Sequence, residues 1–461
     1  MTRAKQADFT RGPLFFPILL FTLPIIATGI LQLLYNTADQ IVVGQFSGNP
    51  NALGAVGSSS ALNALFVNLF MGITAGSSVV VSQLIGAKRE KELEKAVHTS
   101  ITFGAIIGVL LGVAAFFLAR PMLILLGTKE ELLGLSTLYV RVIACGLPFS
   151  SIYNFGAAVL RSAGDSKTPL IILTSTGILN VALNLLFVIV FHMSVAGVAL
   201  ATSVSHVASS AWVLTVLSRR NTAYRFCFRK LGIDGGMLRR VLRIGVPSAL
   251  QSSLFSSSNM IMQSAINTFP ITSVSGYTVA SSLEGFTYTT MNSFYQSTVT
   301  FAGPNYGAKK RKRLVRVLLY TLVQVATVGI IFGWAEILFA TPLASLYVDT
   351  SLAEAPAIIA AAVEKTQIML SLYFLCGIME VTSGFLRGIG RSIGPMLCSV
   401  VGAGVLRAVW AFFVFPLLPK TALALFAVYP ISWTLVMVLN VCIILYATLR
   451  IKKNTAFDDT V

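Results

Sequence analysis

Of 461 residues, 55% are hydrophobic and 11% charged, against about a quarter charged in a soluble domain, so a water-soluble fold is excluded. The apolar residues suffice for about a dozen bilayer crossings at roughly 20 residues each, and stretches such as Leu14 to Leu34 are apolar on every face, which excludes the alternating strands of a membrane barrel. The formal charge of +17 lies in the loops and reports membrane orientation, not affinity for nucleic acid.

Twelve spans are predicted in chain order, near 14–38, 53–84, 97–118, 135–160, 168–191, 195–217, 241–267, 273–302, 314–340, 364–386, 394–416 and 421–448. The first follows a short basic stretch (Arg3, Lys5, Arg11), is too long for a signal-peptide core and carries Pro24, so it reads as an uncleaved helix. Asp39 sits toward its outer end, one turn from Tyr35 and Asn36. Span five places Asn180 and Asn184 on one face by i,i+4 spacing, and span six carries Thr202. Ser218 to Leu238 is the long polar break, with Arg219, Arg220, Arg225, Arg229 and Lys230. Span seven brings Pro247, Gln251, Phe255, Asn259 and Gln263, and span eight brings Glu284 at mid-membrane depth. Glu336 falls near the outer end of span nine and reads as solvated, Glu380 lies in span ten, and Arg407 in span eleven is the expected ion-pair partner of Glu284.

A repeat half the chain long organises these spans. Gly86-Ala87-Lys88 recurs as Gly307-Ala308-Lys309 at an offset of 221, Leu160-Arg161 with Gly164 as Leu386-Arg387 with Gly390 at 226, and Pro24 with Asn36 as Pro247 with Asn259 at 223. Each half holds an even number of spans, so the halves share one orientation, a parallel repeat with its axis along the membrane normal. The expected fold is an all-α polytopic membrane protein with twelve transmembrane helices in two six-helix lobes, 1–217 and 239–461, joined by a linker at 218–238 and flanking a central cleft. Sorting the Lys and Arg residues by loop puts 28 on one side and five, Lys365 among them, on the other. Positively charged loops stay cytoplasmic, so both termini are expected in the cytoplasm. The cluster Lys309 to Arg313 belongs to that bias.

Catalytic and metal-binding signatures are missing. There is no GxxxxGK[ST] loop, no HExxH and no GxSxG; His98, His192 and His206 are scattered, and the first two read as solvated surface residues. The cysteines have no paired spacing and read as free thiols. No enzyme activity, cofactor or metal is expected.

Ionisable groups at bilayer depth are costly and hence functional candidates, which singles out Asp39, Glu284 and Glu380. The repeat puts Asn154 opposite Glu380. Gln32, Asn36, Gln251, Asn259 and Gln263, with the aromatics Tyr35, Tyr153, Phe255, Phe286, Tyr288 and Tyr373, are candidates to line the cleft, because aromatic faces beside carboxylates suit lipophilic cations. Pro24 and Pro247 remove backbone hydrogen bonds at matching places and are candidate hinges.

The run from Leu23-Pro24 through Tyr35-Asn36-Thr37-Ala38-Asp39 to Val43-Gly44, the Gly-Ala-Lys turn in both halves and the Leu-Arg-x-x-Gly turn after spans four and ten together resemble the multidrug and toxic compound extrusion (MATE) transporters, along nearly the whole chain. The resemblance implies secondary export of organic, often cationic, compounds in exchange for H⁺ or Na⁺, by a monomer in the plasma membrane of a prokaryote. A flippase for a lipid-linked oligosaccharide or cell-wall precursor, from the same wider group, is the alternative. The first span is similar to that of the DinF-like branch, where a first-span Asp and polar groups of spans five and six form a cation site; this implies such a role for Asp39, Asn180, Asn184 and Thr202. Where that branch commonly has a second acid, this sequence has Asn184, which tilts the coupling ion toward H⁺, since one buried carboxylate suffices for protonation.

Overall fold

The computed structural model describes residues 9–47, 49, 51–348 and 353–453; Arg3, Lys5 and the outermost residues of both expected lobes lie outside them. Twelve long helices carry the chain, because backbone crossing lipid must satisfy its own hydrogen bonds. They are α1 (Phe15–Phe46), α2 (Ala52–Gly86), α3 (Glu90–Leu125), α4 (Glu130–Ser162), α5 (Lys167–Val190, its last turn π-helical), α6 (Ser194–Arg219), α7 (Gly235–Ile266), α8 (Ile271–Gly307), α9 (Arg311–Leu338), α10 (Ala355–Leu370 and Phe374–Gly388), α11 (Ile393–Leu417) and α12 (Ala422–Phe426 continuing as Val428–Lys453). Among the described residues nine helical spans are long and apolar enough to cross a bilayer, and α10 makes ten if its two pieces, bent by 47°, count as one span. Helices α7 and α8 are equally long but richer in Ser, Thr and Asn.

The repeated motifs are helix stops. At Gly86-Ala87-Lys88 the Arg89 amide bonds back to the Leu84 carbonyl at 3.1 Å, and at Gly307-Ala308-Lys309 the Lys310 amide bonds to that of Asn305 at 2.9 Å. Both lysines adopt a left-handed backbone, φ 55° and 58°. In the Leu-Arg-x-x-Gly turns the left-handed residue is glycine, Gly164 (φ 92°) and Gly390 (φ 83°), and the amides of Asp165 and Arg391 close onto the carbonyls of Leu160 and Leu386. Backward bonds of this kind satisfy the last carbonyls of a helix.

The packing forms two units, and they depart from the expected lobes at two places. One unit comprises Ala27–Ala249, the other Phe9–Ile26 together with the chain from Leu250 onward. The first residues of α1 thus belong to the C-terminal unit and those of α7 to the N-terminal unit. Close approach fixes the second of these: a Cβ on Gly72 would meet Ala249 Cα at 2.2 Å, and one on Gly76 would meet the Val241 carbonyl oxygen at 2.2 Å. The segments leading into the two helices are held likewise. Arg313 donates to the carbonyls of Phe9, Arg11 and Gly12, and Lys310 to that of Thr10, which gives part of the basic cluster a structural task.

The polar stretch expected as a linker is folded onto the N-terminal unit, and α7 begins at Gly235, inside the expected 218–238 boundary. His98 is buried, not solvated as expected: its Nε2 accepts the Cys227 amide at 3.0 Å and its ring stacks on Phe226. Thr99 accepts the Asp234 amide, Glu94 pairs with Lys230, and Asp165 with Arg220. Burial works to raise the Asp165 carboxyl, yet the Thr168 hydroxyl and amide and the Arg220 guanidinium hold it below the ordinary carboxylate range.

Candidate functional site

In the N-terminal unit, α1, α5 and α6 bring together the four residues expected as a cation site. Asp39, 8% exposed, accepts from Asn184 Nδ2, which also reaches Asn180 Oδ1 at 3.3 Å. Asn180 Nδ2 donates to Thr202 Oγ1 at 3.3 Å, and Thr202 returns its proton to the Val198 carbonyl at 3.0 Å. Turning the Asn180 amide over lets it donate to Asp39 Oδ1 at 3.0 Å and accept from Thr202. Asn184 Oδ1 is buried without a partner among the described residues. The site is therefore one carboxylate among neutral oxygens and amides, with no basic side chain within ion-pair reach among the described residues, and an orphaned oxygen remains. A site of this chemistry can accept positive charge, as a proton on the acid or a small cation among the oxygens.

Its neighbours on α1 divide. Tyr35 lies flat on α5, where a Cβ on Gly177 would meet its ring at 2.0 Å, and its hydroxyl donates to the Thr174 carbonyl at 3.1 Å. Gln32 and Asn36 are exposed. Tyr153 is buried with its hydroxyl on the Pro169 carbonyl, and the Asn154 amide bonds within its own helix to Ser150. Pro24 and Pro247 each stand two residues before the last residue that α1 or α7 gives to its first packing unit.

The C-terminal unit is charged differently. Glu284 is partly exposed, accepts the Tyr373 hydroxyl at 3.2 Å and stands 3.9 Å from Lys365. That corrects the expected Glu284–Arg407 pair. With span ten expected from 364, Lys365 falls at its outer edge; α10 instead begins at Ala355 and buries it, with Nζ also donating to the Tyr277 carbonyl and the Ser281 hydroxyl. Arg407 makes its contacts elsewhere. Its Nε donates to Ser432 Oγ at 3.0 Å, its Nη1 reaches Asn259 Oδ1 at 3.5 Å, and its guanidinium lies 4.3 Å from the centre of the Tyr429 ring.

Glu380 is buried two turns before Arg387, which binds the Tyr295 hydroxyl and Gln251 Oε1 while its Nε has no hydrogen-bond partner among the described residues. Glu336 is not solvated: Oε1 accepts from Thr287 at 2.8 Å and Oε2 is buried without a partner among the described residues. Phe255 and Phe286 are half-buried, Tyr288 and Asn259 exposed. Two apolar grooves on this unit, around Pro356 and Pro430, are lined by none of the expected site residues. Sequence reasoning missed Lys365, Tyr429, Ser432 and Trp433; only Lys365 left a trace, a lone cation after an apolar run from Ala355.

A family model described as MatE matches residues 24–186 and 247–413, one stretch in each half. The probable multidrug resistance protein YoeA of Bacillus subtilis is 27% identical over 396 residues, covering 83% of this chain and 82% of its own length. The multidrug export protein MepA of Staphylococcus saprophyticus is 21% identical, covering 94% of this chain and 93% of its own. Among solved structures, an outward-facing multidrug resistance MATE family transporter of the MOP superfamily matches with a TM-score of 0.88 at 23% identity, over 98% of this chain and 99% of that one.

Proposed function

The chain belongs to the MatE family of membrane transporters, which are not enzymes, and from that premise we propose that it exports organic compounds by alternating access in exchange for H⁺ or Na⁺. The names of its relatives support a multidrug cargo, and none of those named above is a flippase. The observation that carries the coupling role is Asp39, a buried carboxylate hydrogen-bonded among the described residues by Asn184, with an amide and hydroxyl chain behind it. Protonation removes the cost of keeping that charge away from water, so proton uptake from one side and release to the other biases two conformations in turn.

One carboxylate among neutral groups favours H⁺ over Na⁺, and its company of fifth- and sixth-helix groups supports placing the chain in the DinF-like branch. The partly exposed Glu284 supports cargo with a basic group. The loop charge bias, 28 against five, supports both termini in the cytoplasm, the bacterial relatives support a multi-pass protein of a prokaryotic plasma membrane, and the resemblance implies a monomer. The test is substrate-driven flux in proteoliposomes. A cationic dye should move H⁺ in the opposite direction with little dependence on Na⁺, and Asn184→Asp should increase Na⁺ dependence. Dye export that dissipates neither gradient overturns the antiport reading.

A further inference from the structure

Within the N-terminal unit, His98 on α3 is 4% exposed and both of its ring nitrogens are occupied. Nδ1 lies 2.8 Å from the Glu94 carbonyl oxygen and Nε2 lies 3.0 Å from the Cys227 amide nitrogen. A carbonyl oxygen only accepts and an amide N–H only donates, so these contacts fix the neutral ring, with its proton on Nδ1 and a lone pair on Nε2. The imidazolium donates from both nitrogens, which would set its Nε2–H against the Cys227 N–H. The repeat does not account for this residue, since the position 221 further on is Leu319.

Cys227 lies in the segment 220–234 that leads into α7. Its neighbours Tyr224 and Phe226 are buried, and Phe226 stacks on the His98 ring. The other ties to α3 are the Asp234 amide on Thr99 Oγ1 and the ion pairs Lys230–Glu94 and Lys95–Asp234, with Arg240 of α7 on Glu92. These pairs are largely exposed to solvent and hold little. They also engage the charged groups of α3 nearest His98. Helix α2 carries no ionisable residue, and the end of α4 offers Arg161 and then Asp165, which is taken by Arg220.

We propose that His98 is a proton-operated clasp: the neutral ring fastens residues 220–234 to α3, and the imidazolium releases them from it. Histidine ordinarily changes charge between about pH 5 and about pH 8. Closure needs the neutral ring, so the hold is complete above that range and is lost as pH falls through it. By the loop charge bias this face is cytoplasmic, the side on which H⁺-coupled export releases protons. That consequence rests on the export reading; the clasp does not.

The test is amide hydrogen exchange of the purified full-length protein, read over 224–230 as protection relative to the unstructured chain at the same pH, which removes the intrinsic pH dependence of exchange. From about pH 8 to about pH 5, wild-type protection should fall about tenfold, the worth of one buried donor left unmet. His98→Gln keeps an acceptor that does not titrate and should show no step.

Glu94→Gln and Asp165→Asn should keep the step, and they decide the matter if His98→Gln does not fold. Wild-type protection unchanged within twofold overturns the proposal, as does a step that persists in His98→Gln or disappears in Glu94→Gln or Asp165→Asn. Loss of dye export with the step intact refutes the transport reading and leaves the clasp in place.

Discussion

The two halves share their helix stops and their crossed lead-in segments but not their buried charge. The N-terminal unit keeps one acid, Asp39, among amides and hydroxyls with no basic side chain beside it among the described residues. Its counterpart buries Lys365, Arg387 and Arg407 as well as Glu380, with Glu284 at its edge. A duplicated scaffold therefore carries two kinds of polar site. Where an acid has no counter-charge, the cheapest way to neutralise it is to bind a proton or cation, which suits coupling. Where acids and bases are buried together, each can offset part of the other's cost of leaving water.

The largest contrast should be in stability. Lys365→Met leaves Glu284 without its cation and opens the Tyr277 carbonyl and Ser281 hydroxyl. Removing one partner of a buried pair costs about 3–5 kcal/mol; the partial exposure of Glu284 and the 3.9 Å separation place this case at the lower end, about 3 kcal/mol. Adding Glu284→Gln should restore part of the loss in thermal unfolding of the purified protein. Asp39→Asn has no cation to strand and should unfold within a few degrees of wild type. Equal losses for Lys365→Met and Asp39→Asn would erase the difference between the units.

A smaller effect is expected where the polar segment grips the N-terminal unit. Asp165 titrates below its usual value in the folded protein, so its contribution is complete above the ordinary carboxylate range and is lost as pH falls through the lowered value. Arg220 stays charged throughout. Asp165→Asn should remove up to about 1 kcal/mol and speed proteolysis within 220–234 at neutral pH. Acidifying the wild type should do the same, and a cleavage rate indifferent to both would detach this segment from Asp165. The C-terminal unit has its own grip, Arg313 on the carbonyls of Phe9, Arg11 and Gly12.

The smallest effect should be the same in both units. Lys88 and Lys309 pay for a left-handed backbone, a strain of about 1–2 kcal/mol for a residue with a side chain. Lys88→Gly and Lys309→Gly should each stabilise by a few tenths to about 1 kcal/mol in thermal melts, the glycine gain being offset by greater freedom of the unfolded chain.

Much of the fold was legible because lipid imposes a simple rule on sequence: long apolar runs must be helices, and stops recur where the chain turns back. The Asp39 group was legible too, since Asn180 and Asn184 share a face at i,i+4 and Thr202 lies on the next span. The C-terminal site was less so. Lys365 was hidden by the break in α10, and the Arg407 surroundings draw on α7, α11 and α12, whose meeting no spacing announces. Nor does periodicity reveal that α1 and α7 each serve two packing units, which depends on Gly72 and Gly76 admitting α7.

The central claim is that Asp39 carries the coupling ion, and the most direct measurement is gradient-driven dye export in proteoliposomes by Asp39→Asn beside wild type. The account predicts a folded variant that still binds dye but neither exports it under an imposed pH gradient nor moves protons when dye is supplied. Proton-coupled export by Asp39→Asn at the wild-type rate would contradict it and pass the coupling role to Glu284 or Glu380.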